Sequence, residues 1–375
     1  MLLIIFIAHV PNNPWADYIP ARFGFSSGAE IFVFCSGIAS GLAFGRTFLS
    51  KGFSEGTKRI AKRIVQLYTA HIGSVLVLGS VVFAVDTLRG SDILAVRYSL
   101  ELFKQAPLTG AFNYLTLQYV PAFFDILPMY VVLLAMVLPM VALGRVKPVF
   151  MIAAAAFLWV GMQIMPLNFT GDPVTGAQWY FNPFAWQFLF FIGFSFGIGW
   201  LNPPQRNNRW LFWLSVAILV VSIPLNFWGF WSAFPLMDQL NSLLYPPDAI
   251  TRLHYTRLLH FLSLAYVAYS LVDPAMGWLS SPRLTPLLRI GRNSFPCFLA
   301  GLGLSMAGGI GLDIFGMGAV VSAIINIGGV LILMGIAFGL ESFMAHRAAR
   351  SGYPIKRPNL RSTVPNNGGE PGHIA

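Results

Sequence analysis

The sequence predicts an all-α fold: a polytopic membrane helix bundle of about ten transmembrane helices, with the first one truncated at the N-terminus. Three observations predict it. Of the 375 residues, 56% are hydrophobic and only 10% are charged, with a mean hydropathy of +0.67. A soluble domain carries about 25% charged residues, so this chain has more apolar surface than a soluble core can hide. Apolar stretches near spanning length, about 20 residues, recur along the whole chain. The Lys and Arg residues are also segregated, as they are where cytoplasmic loops collect cations.

The elements follow in order. Met1 to Val10 is apolar, but Pro11-Asn-Asn-Pro14 stops the helix after about ten residues, half a span. A native N-terminal piece upstream of Met1 is therefore expected. Further apolar cores lie near 28–45, 64–85, 126–143, 149–165, 184–200, 210–228, 258–272, 288–308 and 315–344. Ten helices put both ends of the chain on one side. With the C-terminus cytoplasmic, 18 of the 24 Lys and Arg fall in inner segments and 6 in outer ones. Most acids fall outside, including Asp17, Asp86, Asp92, Glu101 and Asp172. Three outer loops are long, at 86–124, 166–183 and 229–257, and long loops on one face carry function. Residues 1–350 form the transmembrane domain. The tail 351–375, rich in Pro, Asn, Gly and Arg, is expected to be disordered and cytoplasmic.

Several functions are set aside. The formal charge of +10 is explained by membrane topology, so no nucleic-acid partner is expected; the partner is the lipid bilayer. The two cysteines, Cys35 and Cys297, give no disulfide framework and no metal pattern, and no metal site or bound cofactor is expected. HExxH and Walker sequences are absent from the chain, which leaves zinc proteolysis and nucleotide-driven pumping without support.

Ionisable residues inside apolar spans are expensive and are functional candidates by default. His9 closes the first helix and Glu30 opens the second. A carboxylate bonded to one imidazole nitrogen makes the other a better base; the competing reading is a solvated helix-end His and a Glu that stabilises a helix N-terminus. Arg257 and His260 share a helix face at i and i+3. There Arg257 would neutralise an anion and His260 would donate a hydrogen bond; the alternative is an Arg that snorkels to water. Asp125, just before the core at 126–143, is either a ligand or a helix N-cap. His71 reads as a packing residue with one hydrogen bond. Lys58, Arg59 and Lys62 sit in a basic inner segment that suits anionic lipid headgroups or the phosphates of an incoming co-substrate. The aromatics of Trp179 to Trp186 suit an interface belt.

The run Phe23-Gly-Phe-Ser…Ala-Glu-Ile-Phe-Val-Phe…Ser-Gly37, followed by Arg63…Leu67-Tyr68…His71, resembles the OpgC family. Phe124-Asp-Ile-Leu-Pro128-Met-Tyr130, Trp179-Tyr-Phe-Asn-Pro-Phe-Ala-Trp-Gln187 and Leu258-Leu-His260-Phe-Leu-Ser-Leu-Ala-Tyr266 are similar to it in the same order. These are acyltransferase-3-like membrane enzymes that succinylate osmoregulated periplasmic glucans. The resemblance implies a bacterial inner-membrane O-acyltransferase that uses acyl-CoA (succinyl-CoA) as co-substrate and a periplasmic glucan as acceptor. It makes His9 the catalytic histidine of the first helix. On this reading Glu30 orients His9, while Arg257, His260 and Asp125 bind substrate. The alternatives are a transporter of an anionic metabolite and an inactive, truncated family member.

Overall fold

Every apolar stretch expected from the sequence falls on a helix in the computed structural model, which describes residues 1–165, 167–231, 233–272 and 281–351. The principal helices are α1 (Leu2–His9), α2 (Gly28–Lys51), α3 (Phe53–Arg89), α4 (Ile126–Val146), α5 (Pro148–Ile164), α6 (Pro183–Ile198), α7 (Arg209–Asn226), α8 (Tyr255–Leu271), α9 (Ser294–Phe315) and α10 (Ala319–Ser351). Among the described residues no strand occurs beyond an isolated bridge between Thr170 and Gln178. Of these helices α2, α3, α4, α7, α9 and α10 are long and apolar enough to cross a membrane by length and composition. The expectation of about ten spans thus reduces to six helices that reach that length on their own. Helices α5 and α6 are apolar but shorter, and α1 has 8 residues. The expected tail lies, past Ser351, outside the described residues.

Local chemistry sets the boundaries. Helix α1 stops where Pro11 withholds an N–H, and the orphaned Ile7 carbonyl accepts instead from Asn13 Nδ2 at 3.0 Å. Helix α2 begins at a capping box formed by Ser27 and Glu30. It is separated from α3 by Gly52 at φ +87°, and α3 ends at Gly90 in the left-handed region. At 37 residues, α3 is about 55 Å long against a hydrocarbon core of about 30 Å, so its basic first turns extend well past the apolar layer.

Helices α2 and α6 pack closest in the core. A Cβ on Gly37 would stand 2.1 Å from the Phe190 carbonyl oxygen, and one on Gly193 would stand 2.3 Å from that of Phe34. Gly41 and Gly197 repeat the pattern one turn on. Two small-xxx-small stripes therefore face each other, the device by which apolar helices approach without a hydrophobic drive between them. Around this seam Trp186, Phe190, Phe191 and Phe194 are fully buried.

The ends of α1 and α7 and the starts of α2, α4 and α8 line one cavity, which places them at one end of the bundle. The loops 10–27, 90–125, 167–182 and 233–254 contribute to that cavity, and the basic start of α3 lies at the other end. An alkaline phosphatase fused after Asp172 is expected to be active in cells and one fused after Arg145 inactive. The reverse pair of results would place the loop-covered end in the cytoplasm.

Candidate active site

The gathered loops enclose a cavity of about 1000 Å³, lined by His9 from α1, Asp125 from the start of α4, Arg257 from α8 and residues of each loop. Gly28 and Ala29 at the start of α2 and Asp125 and Ile126 at the start of α4 line it together with the loops.

His9 stands in the cavity wall at the last turn of α1. Its Nδ1 donates to the Ile5 carbonyl at 2.7 Å, which assigns the proton to Nδ1 and leaves Nε2 as the acceptor. The imidazole lies edge-on to Phe123, with ring centroids 5.5 Å apart and planes at 64°. A backbone carbonyl therefore does the orienting that the sequence reading gave to Glu30.

Glu30 is committed elsewhere, and it does not form the expected pair with His9. Its Oε2 accepts from Ser27 N at 2.8 Å and from Ser27 Oγ at 3.0 Å. Its Oε1 accepts from Arg257 Nε at 2.7 Å and faces Arg257 Nη2 at 2.5 Å. Arg257 also donates to Tyr245 Oη at 2.6 Å and to Ser27 Oγ at 3.2 Å. Both side chains are essentially sealed, at 0% and 1% exposure. The pair ties α8 to the start of α2, so the Arg257 charge is already neutralised, and the expected anion ligand is part of a buried clasp at the cavity wall.

His260 does not line the cavity. Its Nδ1 accepts from Ser26 N at 3.3 Å and bonds Ser26 Oγ at 2.7 Å. Its Nε2 would lie 2.0 Å from a Cβ on Gly24, so only glycine fits over the ring. The residue holds the 23–27 loop in place from behind the cavity lining.

Asp125 does face the cavity. It makes no side-chain cap for α4, which removes the N-cap alternative. Burial dominates and pushes its carboxyl up to about 7, against the opposing effect of nearby backbone N–H groups. A raised acid favours folding while it is protonated in both states. That stability is full below the unfolded value near 4 and is lost as pH rises through about 7. The melting temperature is accordingly expected to fall between pH 4 and 7, and Asp125→Asn to flatten that slope in a thermal-shift series. An unchanged slope would contradict this placement of the carboxyl.

Lys58, Arg59 and Lys62 lie far from the cavity. Lys58 is 3.9 Å from Glu55 and Arg59 donates to Thr47 Oγ1 at 3.0 Å. Leu78 of α3 lines a small pocket with His9, about 30 Å along the helix from Lys58. His71 is 1% exposed and both of its ring nitrogens lack a hydrogen-bond partner, so the single bond expected of it is absent; the Tyr114 hydroxyl donates to its backbone carbonyl at 2.7 Å. Trp179 and Trp186 are buried at 4% and 0%, and their indole N–H groups donate to the Leu117 and Ile250 carbonyls. They anchor loops and form no interface belt.

Sequence reasoning missed the acids of the cavity wall, Asp17, Glu101 and Asp172, and the cation Arg22. It also missed a buried amide pair. Asn326 in α10 and Asn13 donate to each other at 2.8 and 2.9 Å, and Asn13 caps the end of α1. A lone Asn inside the apolar run Ile324-Ile-Asn-Ile327 was the available signal.

A family model described as "OpgC protein" matches residues 1–345. No curated protein and no solved structure matches the chain.

Proposed function

The chain belongs to the OpgC family, membrane proteins of acyltransferase type associated with glucan modification, and from this premise we propose that it moves a succinyl or similar acyl group from acyl-CoA to a hydroxyl of a periplasmic glucan. The observation that carries the reading is His9: its Nδ1–H is fixed by the Ile5 carbonyl, its Nε2 is an acceptor, and its ring stands in the wall of a cavity of about 1000 Å³.

In the proposed reaction Nε2 takes the proton of a sugar hydroxyl as the oxygen attacks the thioester carbonyl. The tetrahedral intermediate collapses, the carbon–sulfur bond breaks, and the imidazolium returns its proton to the departing thiolate. Asp17, Glu101, Asp125 and Asp172 line the same cavity, and carboxylates accept hydrogen bonds from sugar hydroxyls. That lining suits a neutral polyhydroxyl acceptor better than an anionic metabolite, which is the argument against a transporter. With Arg257 neutralised, Arg22 is the cavity cation outside the buried pair that is offered to an acyl carboxylate. The inner membrane, a periplasmic cavity and a cytoplasmic C-terminus complete the proposal. On it the basic start of α3, with Lys58, Arg59 and Lys62, faces the nucleotide phosphates of acyl-CoA, and the acyl thioester reaches His9 through the bundle.

The test uses purified protein in liposomes with succinyl-labelled acyl-CoA and periplasmic glucan. Label esterified to the glucan supports the proposal. Label accumulating in the lumen, with none on the glucan, supports transport and overturns it.

A further inference from the structure

A hydrogen bond from Nδ1 to the carbonyl of the same helix fixes the tautomer of His9, but the ring can still pivot about that bond. We propose that Phe123 is a positioning residue that stops this pivot, an inference that rests on the reading of His9 as the base.

Phe123 has φ +72°, a left-handed conformation that is uncommon for any residue but glycine and a real outlier for a bulky one. The segment Pro121-Ala-Phe-Phe-Asp125 contains no glycine. If this turn served only to enter α4, glycine would make it without strain. A phenylalanine held there means that the ring itself is used, and strained residues of this kind cluster at functional sites.

The surroundings over-determine the turn. Ala122 N donates to the Tyr98 carbonyl at 3.1 Å, and Phe124 N donates to that of Pro121 at 3.1 Å. The Phe124 side chain is buried at 2% exposure. On one side the Phe123 ring meets Tyr98, with centroids 5.6 Å apart, and Tyr98 is itself 2% exposed. On the other side it meets His9 edge-on at 5.5 Å. The imidazole is thus braced through Phe123 against a buried tyrosine. This matters because a reacting group displaced by about 1 Å can lose on the order of 10²-fold in rate.

The test compares Phe123→Gly and Phe123→Tyr with the wild type in the liposome assay. Glycine removes the ring and suits φ +72°, so relief of the strained turn offsets part of the packing lost against the core, and the variant is expected to stay folded at the assay temperature. Its kcat should fall by roughly 10- to 10²-fold, with the KM for glucan and for acyl-CoA nearly unchanged. Phe123→Tyr keeps the ring edge and should restore most of the rate. A wild-type kcat in Phe123→Gly overturns the proposal. So does a raised KM at constant kcat, which would make Phe123 a substrate contact, or unfolding at the assay temperature in step with the loss of activity, which would make it a packing residue. Failure of the base reading is separable: His9→Ala would then transfer the acyl group normally, whatever Phe123→Gly does.

Discussion

His9→Ala is expected to lower acyl transfer by about 10²–10⁴-fold, the range for a positioned general base, while membrane insertion and melting temperature stay close to wild type. Both halves follow from the geometry. The imidazole bonds only one turn back along its own helix, so its loss leaves no distant partner unsatisfied. The end of α1 is held by other groups: Asn13 on the Ile7 carbonyl and Ser305 Oγ on the Phe6 carbonyl at 3.0 Å. Fluorescence-detected size-exclusion chromatography would check the fold, and label transferred to glucan would check the rate. A His9→Ala protein lost from the membrane would mean that the residue is structural.

Arg257→Ala is expected to act through stability. Removing one partner of a sealed ion pair leaves the other charge buried and uncompensated, which costs about 3–5 kcal/mol. Glu30→Ala should cost a similar amount. Glu30→Leu combined with Arg257→Met removes both charges and should destabilise less than either single alanine change, since replacing a buried pair by apolar groups is often close to neutral. Melting curves of the three variants in detergent measure this. Additive losses in the double variant would show that the two residues act independently, against the clasp seen between α2 and α8. Arg257→Ala protein that stays folded at low temperature is also expected to lose activity, because the clasp forms part of the cavity wall.

The helices were legible because lipid demands long apolar runs with internally satisfied backbones, and Pro11, Gly52 and Gly90 mark where three of them stop. His9, Asp125 and Arg257 also come to one end, as the loop lengths implied. Partnerships were less legible. Glu30 lies beside His9 in expectation because one closes the first helix and the other opens the second, but its partner is 227 residues away, and spacing carries no information at that range. His260 looked like a ligand beside Arg257, since a shared helix face does not reveal that Gly24 closes over one of them. The facing pairs Gly37/Gly41 and Gly193/Gly197 were written plainly in the sequence at four-residue spacing. They were readable as a packing seam once the helices were placed. The left-handed turn at Phe123 had no glycine to announce it, so no local signal could have found it.

The central claim is that the imidazole of His9 moves the proton, and chemical rescue tests it most directly. The cavity of about 1000 Å³ has room for free imidazole where His9→Ala removes the side chain. Acyl transfer by His9→Ala in liposomes should rise with added imidazole and saturate, while wild type and Phe123→Gly, which keep the imidazole of His9, gain nothing comparable. Wild-type transfer by His9→Ala without imidazole, or a crippled rate that imidazole leaves unmoved, would contradict the account.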